Sequence, residues 1–128
     1  MKILLDTQVL IWSIMRTRDL PPKLRQMLEE PGNEKLSSAG SIWEVAIKRA
    51  LGRSDFDVDP LELAATARLD YAELAVTSEV AARVATLPHH HRDPFDRLLV
   101  VQAIEANALL VTVDRQLASY GSNVRLFA

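Results

Sequence analysis

Lys2-Ile3-Leu4-Leu5-Asp6, followed at once by Thr7-Gln8-Val9-Leu10-Ile11-Trp12-Ser13-Ile14, is the stretch on which the fold turns. A short continuous apolar run reads as a buried strand, and Thr7 to Ile14 reads as the helix that follows it. Asp6 stands at the junction. The pattern returns near the other end, where Leu109 to Thr112 reads as another buried strand with Asp114 just beyond it.

Working outward, Pro21-Pro22 opens a second helix, with Pro22 suited to a first-turn position, and Pro31-Gly32-Asn33 closes it. Lys35 to Ser38 is a candidate strand, and a helix is expected from Ser41 to about Leu51, ended by Gly52. Arg53 to Asp59 is a polar loop. Apolar spacing predicts helices from Pro60 or Leu61 to Leu69 and from Ser78 to Leu87, with Leu74-Ala75-Val76 a short strand between them. Pro88 to Asp93 is a loop, Pro94 starts a helix to about Asn107, and Val124 to Phe127 is a last strand. Alternating strands and helices imply βαβ units, an α/β fold whose central parallel sheet is covered on both faces. Residues 1–128 fit a single domain without linker or repeat.

A chain of 128 residues buries roughly two-thirds of its unfolded surface and needs no staple to fold. The absence of cysteine removes thiolate chemistry and cysteine-type zinc sites, and suits a reducing compartment, with the cytoplasm the expected location. Ile3-Leu4-Leu5 is too short for a signal peptide core, and no apolar run reaches transmembrane length, so no membrane association is expected. The net charge of −2 excludes a domain that grips nucleic acid by bulk positive charge. A bound divalent cation, however, reverses the sign of an acidic cleft and attracts phosphate.

Four segments end a hydrophobic run on a carboxylate: those at Asp6 and Asp114, together with Ser41-Ile42-Trp43-Glu44 and Asp93-Pro94-Phe95-Asp96. In open parallel sheets the functional crevice lies beyond the carboxyl ends of the strands. Asp6 and Asp114 follow strands directly, and Glu44 and Asp96 are expected in the first turns of helices pointing to that edge. Crowded carboxylates repel one another unless some take up protons or share a cation. Oxygen ligands of this kind suit Mg²⁺ or Mn²⁺, one ion or two, and the chemistry implied is phosphodiester hydrolysis.

Each acid also has an ordinary reading. Ser41 with Glu44 fits a capping box, Asp93 fits a helix cap before Pro94, and Asp6 and Asp114 each divide evenly between cap and function. Only their joint pattern favours a site. The run His89-His90-His91 reads as solvated loop, because three consecutive side chains do not readily converge on one ion. Arg92, Arg97, Lys48 and Arg115 read as ordinary ion-pair partners, and Trp43 as core. The helix through Leu98, Leu99, Val100, Val101, Ala103 and Ile104 is apolar around most of its circumference, which suggests burial by a second subunit as well as by the sheet.

With these residues in hand, the chain resembles the PIN-domain family, and within it the VapC-type toxins of toxin-antitoxin pairs. The matching pieces are Leu4-Leu5-Asp6-Thr7, Ser41-Ile42-Trp43-Glu44-Val45-Ala46-Ile47-Lys48, His91-Arg92-Asp93-Pro94-Phe95-Asp96-Arg97-Leu98-Leu99 leading into Gln102-Ala103, and Leu110-Val111-Thr112-Val113-Asp114. The resemblance implies a three-layer α/β/α sandwich and a Mg²⁺- or Mn²⁺-dependent ribonuclease, usually a homodimer, held in check by a VapB-type antitoxin through which alone it meets operator DNA. It carries the acidic set to Asp6, Glu44, Asp96 and Asp114. Asp6 and Asp96 are the direct metal ligands on this reading, while Glu44 and Asp114 complete the site or orient water. Asp93 is an extra acid, and Thr7 and Thr112 hold carboxylates in orientation. The antitoxin would supply basic charge to a site expected to lack its own. Gln8 departs from the histidine common after Asp-Thr in similar sequences.

Two other readings differ in class. An aspartyl-phosphate enzyme using Asp6 as nucleophile wants a second aspartate where Gln8 stands, and a receiver domain wants adjacent acids after the first strand. A non-catalytic binding module of the same fold would not need the intact acids.

Overall fold

The computed structural model describes residues 1–128. Strands β1 (Lys2–Leu5), β2 (Glu34–Ser38), β3 (Ala72–Leu74), β4 (Leu109–Thr112) and β5 (Val124–Leu126) form one sheet in the order β3-β2-β1-β4-β5. Every pairing is parallel. The helices are α1 (Thr7–Met15), α2 (Pro22–Glu29), α3 (Ala39–Ala50), α4 (Pro60–Asp70), α5 (Ser78–Arg83) and α6 (Pro94–Ala106).

Strand β1 lies at the centre, and its side chains alternate between two cores. Ile3 and Leu5 face α1, α2 and α4, packing with Val9, Leu10, Leu24, Leu28 and Ala67. Leu4 faces the other way onto Leu99, Val100 and Ala103 of α6, with Leu36, Leu110 and Leu117. Helices therefore cover both faces, the three-layer α/β/α arrangement expected of the sequence. Chain order reverses on either side of β1, so β1 and β4 flank the crevice where such sheets place function.

Several boundaries differ from the sequence expectation. Helix α3 begins directly after β2, capped by the Ser38 hydroxyl accepting from the Gly40 amide at 2.9 Å. Glu44 thus lies in the second turn, and there is no capping box with Ser41. This early start turns Gly40, Ser41, Glu44 and Val45 inward and leaves Trp43 60% exposed, with Ile47 and Leu51 along the same flank. Trp43 is not core; its ring meets Phe95 edge-on at 5.1 Å. Strand β3 lies two residues earlier than expected because it is a short, poorly buried edge strand with little apolar signal. The helix expected from Ser78 to Leu87 stops at Arg83 and continues as a 3₁₀ turn over Val84–Thr86. The Val84 and Leu87 carbonyls there accept from the Arg97 guanidinium instead of continuing a helix.

Helix α6 is apolar nearly all round because its own chain surrounds it: the sheet on one side, α3 and α5 on others. Its circumference therefore gives no argument for a second subunit. A buried polar residue ties it to the sheet edge. Gln102 accepts from the Ser38 hydroxyl at 2.5 Å and donates to the Ala75 carbonyl at 3.3 Å, fixing α6 against the ends of β2 and β3. Gln102→Leu strips partners from both groups and is expected to destabilise the fold by about 1–3 kcal/mol. Equilibrium urea unfolding with an unchanged m value would register it; wild-type stability would show that the tether is dispensable.

Candidate metal centre

Asp6, Glu44, Asp93, Asp96 and Asp114 gather at the carboxyl edge of the sheet. Asp6 ends β1 and is only 4% exposed. Its Oδ1 caps α1 by accepting from the Val9 amide at 2.8 Å, and its Oδ2 accepts from the Thr112 hydroxyl at the end of β4. Thr112 in turn accepts from the Asp114 amide at 3.0 Å, so one buried hydroxyl links the first strand's acid to the fourth strand's. Asp114 also caps the 3₁₀ turn Arg115–Tyr120 through the Gln116 amide. Cap and cluster member are the same residue in both places.

Glu44, reached from the second turn of α3, is buried. Its Oε1 accepts from the Thr7 hydroxyl at 2.6 Å, and that hydroxyl lies 2.9 Å from the Ser41 hydroxyl. Its Oε2 accepts from Lys48 one helical turn on, at 2.6 Å. Lys48 simultaneously donates to Asp93 Oδ2 at 2.7 Å, while Asp93 Oδ1 caps α6 through the Phe95 amide. The cluster therefore carries its own ammonium, contrary to the expectation that it lacks compensating charge. Burial works against the charge on both partners, yet their mutual hydrogen bonds prevail: Lys48 is held above and Asp93 below its ordinary pKa.

Asp96 has no such partner. Burial, then the charges of Asp93, Glu44 and Asp6, pushes its carboxyl up to about 8. Asp6 is pushed up to about 6, chiefly by burial, against the opposing pull of Thr112 and the Val9 amide. No lysine or arginine bonds either Asp6 or Asp96.

The histidine run is not simply solvated loop. His91 is 10% exposed in its side chain, and its Nε2 lies 2.8 Å from Asp114 Oδ2 and 3.3 Å from Asp96 Oδ2. Ligand atoms of these three residues fall within 4.8 Å of one another. The Asp93 amide donates to His91 Nδ1 at 3.0 Å, which assigns the proton of the neutral ring to Nε2. In this tautomer His91 donates to the acids, and its Nε2 also lies within ligand distance of Asp96 and Asp114. Carboxylate oxygens outnumber that one ring nitrogen, which suits Mg²⁺ or Mn²⁺ better than a nitrogen-loving metal.

Arg97, expected to pair with an acid, instead braces the histidine loop from beneath. Only 7% exposed, it donates to the Pro88, Val84 and Leu87 carbonyls and to the Tyr120 hydroxyl, and that hydroxyl accepts from the His91 amide at 3.1 Å. Arg92 and Arg115 are exposed and form no ion pair. Lys48 alone of the four basic residues pairs with carboxylates. His91, Lys48, Arg97 and Tyr120 escape sequence reading as parts of one assembly, although the close spacing of His91, Asp93 and Asp96 is a signal that a helix-leading loop serves a site.

A protein-family model described as PIN domain matches residues 3–123. Among solved structures, the chain is similar to VapBC2 from Rickettsia felis bound to a DNA fragment from their promoter. That likeness has a TM-score of 0.70 and 16% identity, and covers 99% of this chain and 98% of that one. It is also similar to a domain of a functionally unknown protein from Methanocaldococcus jannaschii DSM 2661, with a TM-score of 0.58 and 18% identity over 99% and 91% of the two chains. No curated protein sequence matches.

Asp6 and Asp96 bind protons more tightly folded than at their ordinary 3.8. Their contribution to stability is complete below about pH 4 and is lost as the pH rises through about 6 and then about 8. In chelator the melting temperature is expected to fall between pH 5 and pH 8.5, and Asp96→Asn is expected to flatten that fall. A melting temperature that climbs with pH in chelator would contradict the assignment.

Proposed function

The chain belongs to the PIN domain family, and on that premise we propose that it is a Mg²⁺- or Mn²⁺-dependent endoribonuclease of VapC type, the toxin of a toxin-antitoxin pair. PIN domains are generally nucleases, and those nucleases typically use a divalent metal. The observation that carries the reading is the gathering of Asp6, Asp96 and Asp114 at the β1–β4 crevice with no lysine or arginine bonded to them, ligand atoms of Asp96 and Asp114 lying within 4.8 Å of one another and of the His91 ring. The likeness to VapBC2 supports the toxin assignment.

Asp6 and Asp96 hold the ion, and Asp114 completes the set. When bound, such an ion makes water a better nucleophile and stabilises the leaving oxygen of a phosphodiester. The chain's own residues do the positioning. Thr112 fixes the Asp6 carboxylate, His91 steadies Asp96 and Asp114, and Thr7 steadies Glu44. Asp114, 40% exposed in its side chain, is the acid most open to a water approaching from solvent. Beside the cluster lies an open polar groove lined by His89, His90, Arg92 and Gln116, without a hydrophobic residue, which suits an RNA backbone. Exposed Arg92 and Arg115 can meet its phosphates locally, as a chain of net charge −2 requires.

The partner that restrains this activity is a VapB-type antitoxin, through which promoter DNA is met. Homodimerisation has the family resemblance as its support. No helix is long and apolar enough to cross a membrane, and the cytoplasm, where RNA is, is the proposed location.

Purified protein incubated with total cellular RNA and Mn²⁺ is expected to give discrete products that vanish with EDTA and with Asp96→Asn, the variant keeping its circular dichroism spectrum. Equal cleavage by the variant would remove Asp96 from the mechanism. Absence of cleavage across cellular RNA would favour a binding module.

A further inference from the structure

The five acids do not form one pool of charge. Both oxygens of Glu44 are taken, one by the Thr7 hydroxyl and one by Lys48, and both oxygens of Asp93 are taken, one by the Phe95 amide and one by Lys48. A hydroxyl or amide donor leaves a carboxylate's charge in place, whereas the one ammonium at 2.6 and 2.7 Å offsets half of the charge that Glu44 and Asp93 carry between them. Asp6, Asp96 and Asp114 receive only hydroxyl, amide and imidazole donors.

The ammonium is also built in rather than draped across the surface. The Lys48 side chain is 14% exposed, and its Nζ lies 4.8 Å from the centre of the Phe56 ring and 5.7 Å from that of Phe95. Two carboxylates and two aromatic faces enclose one positive charge. Such an enclosure holds an ammonium in the place a second cation would otherwise take.

We propose that the Lys48 ammonium is the resident second cation of this site: it holds Glu44 and Asp93, and the remaining acids, Asp6, Asp96 and Asp114, take a single divalent ion. The proposal rests on the metal-dependent reading above and narrows it to one ion per chain. Glu44 then shapes the site through Lys48 and Thr7 without ligating the ion, and the charge that two metals would bring is supplied partly by the protein.

The test is a Mn²⁺ titration of the full chain, with free Mn²⁺ read by electron paramagnetic resonance, alongside acylation of Lys48 read by mass spectrometry. The wild type is expected to bind one Mn²⁺, and Lys48 to stay as protected from acylation in saturating Mn²⁺ as in chelator. Lys48→Met, which keeps length and removes the charge, is expected to bind two. Two ions on the wild type, or a Lys48 that becomes reactive when Mn²⁺ is added, would overturn the proposal while leaving a metal-dependent nuclease intact. A folded Lys48→Met that still binds one would overturn it as well. No Mn²⁺ on the wild type would overturn the metal-dependent reading together with it. Should Lys48→Met fail to fold, the two wild-type readings decide.

Discussion

Carboxylate charge kept out of water must be met by a counter-charge, a proton or a dense set of donors, and this requirement organises the edge of the sheet. Asp6 sits at the end of the most buried strand, where Ile3, Leu4 and Leu5 leave no room for solvent. It is tolerated because α1 starts there and its first amides need an acceptor, and because Thr112 arrives from the neighbouring strand with a hydroxyl. Neither cancels the charge. The neighbouring acids are placed by the same device, a strand end or helix start whose free backbone donors welcome a carboxylate.

The cluster therefore divides according to what answers each charge. Glu44 and Asp93 share Lys48 and form a closed unit, half of whose carboxylate charge is offset, under two phenylalanine rings. Asp6 is met only by the Val9 amide and the Thr112 hydroxyl and Asp96 only by the His91 ring, with Asp96 pushed up to about 8 by burial and its acidic neighbours. Stability is thus sacrificed at the position where a metal would repay it, the usual relation between a binding site and its fold. His91 binds the two halves: its ring accepts from the Asp93 amide on one side and faces Asp96 and Asp114 on the other.

Much of this was legible in order of residues, and the remainder failed for identifiable reasons. The strand before Asp6, the helix after it and the strand before Asp114 follow from short continuous apolar runs, and the parallel sheet follows from the alternation of strands and helices. That the acids share one edge follows from the same topology. Glu44 was misplaced by a turn because Ser38, still in the strand, also caps the helix, a double use that local patterns do not reveal. Trp43 looked like core because it is apolar within an apolar helix, but the inward face belongs to Gly40, Ser41, Glu44 and Val45. Lys48 is recognisable as a helix partner of Glu44, four residues on, whereas its bond to Asp93 spans the chain and depends on how α3 meets α6. Arg97 bonds carbonyls of a loop and a broken helix, partners that carry no sequence signature.

The account's central claim is spatial: one divalent ion among Asp6, Asp96 and Asp114. The most direct measurement is anomalous diffraction from a crystal of the protein soaked in Mn²⁺. A single manganese peak bounded by those three carboxylates, with Lys48 still on Glu44 and Asp93 and no bond from His91, is the predicted result. A peak held by Glu44 and Asp93 with Lys48 displaced, or no peak at this edge of the sheet, would contradict it.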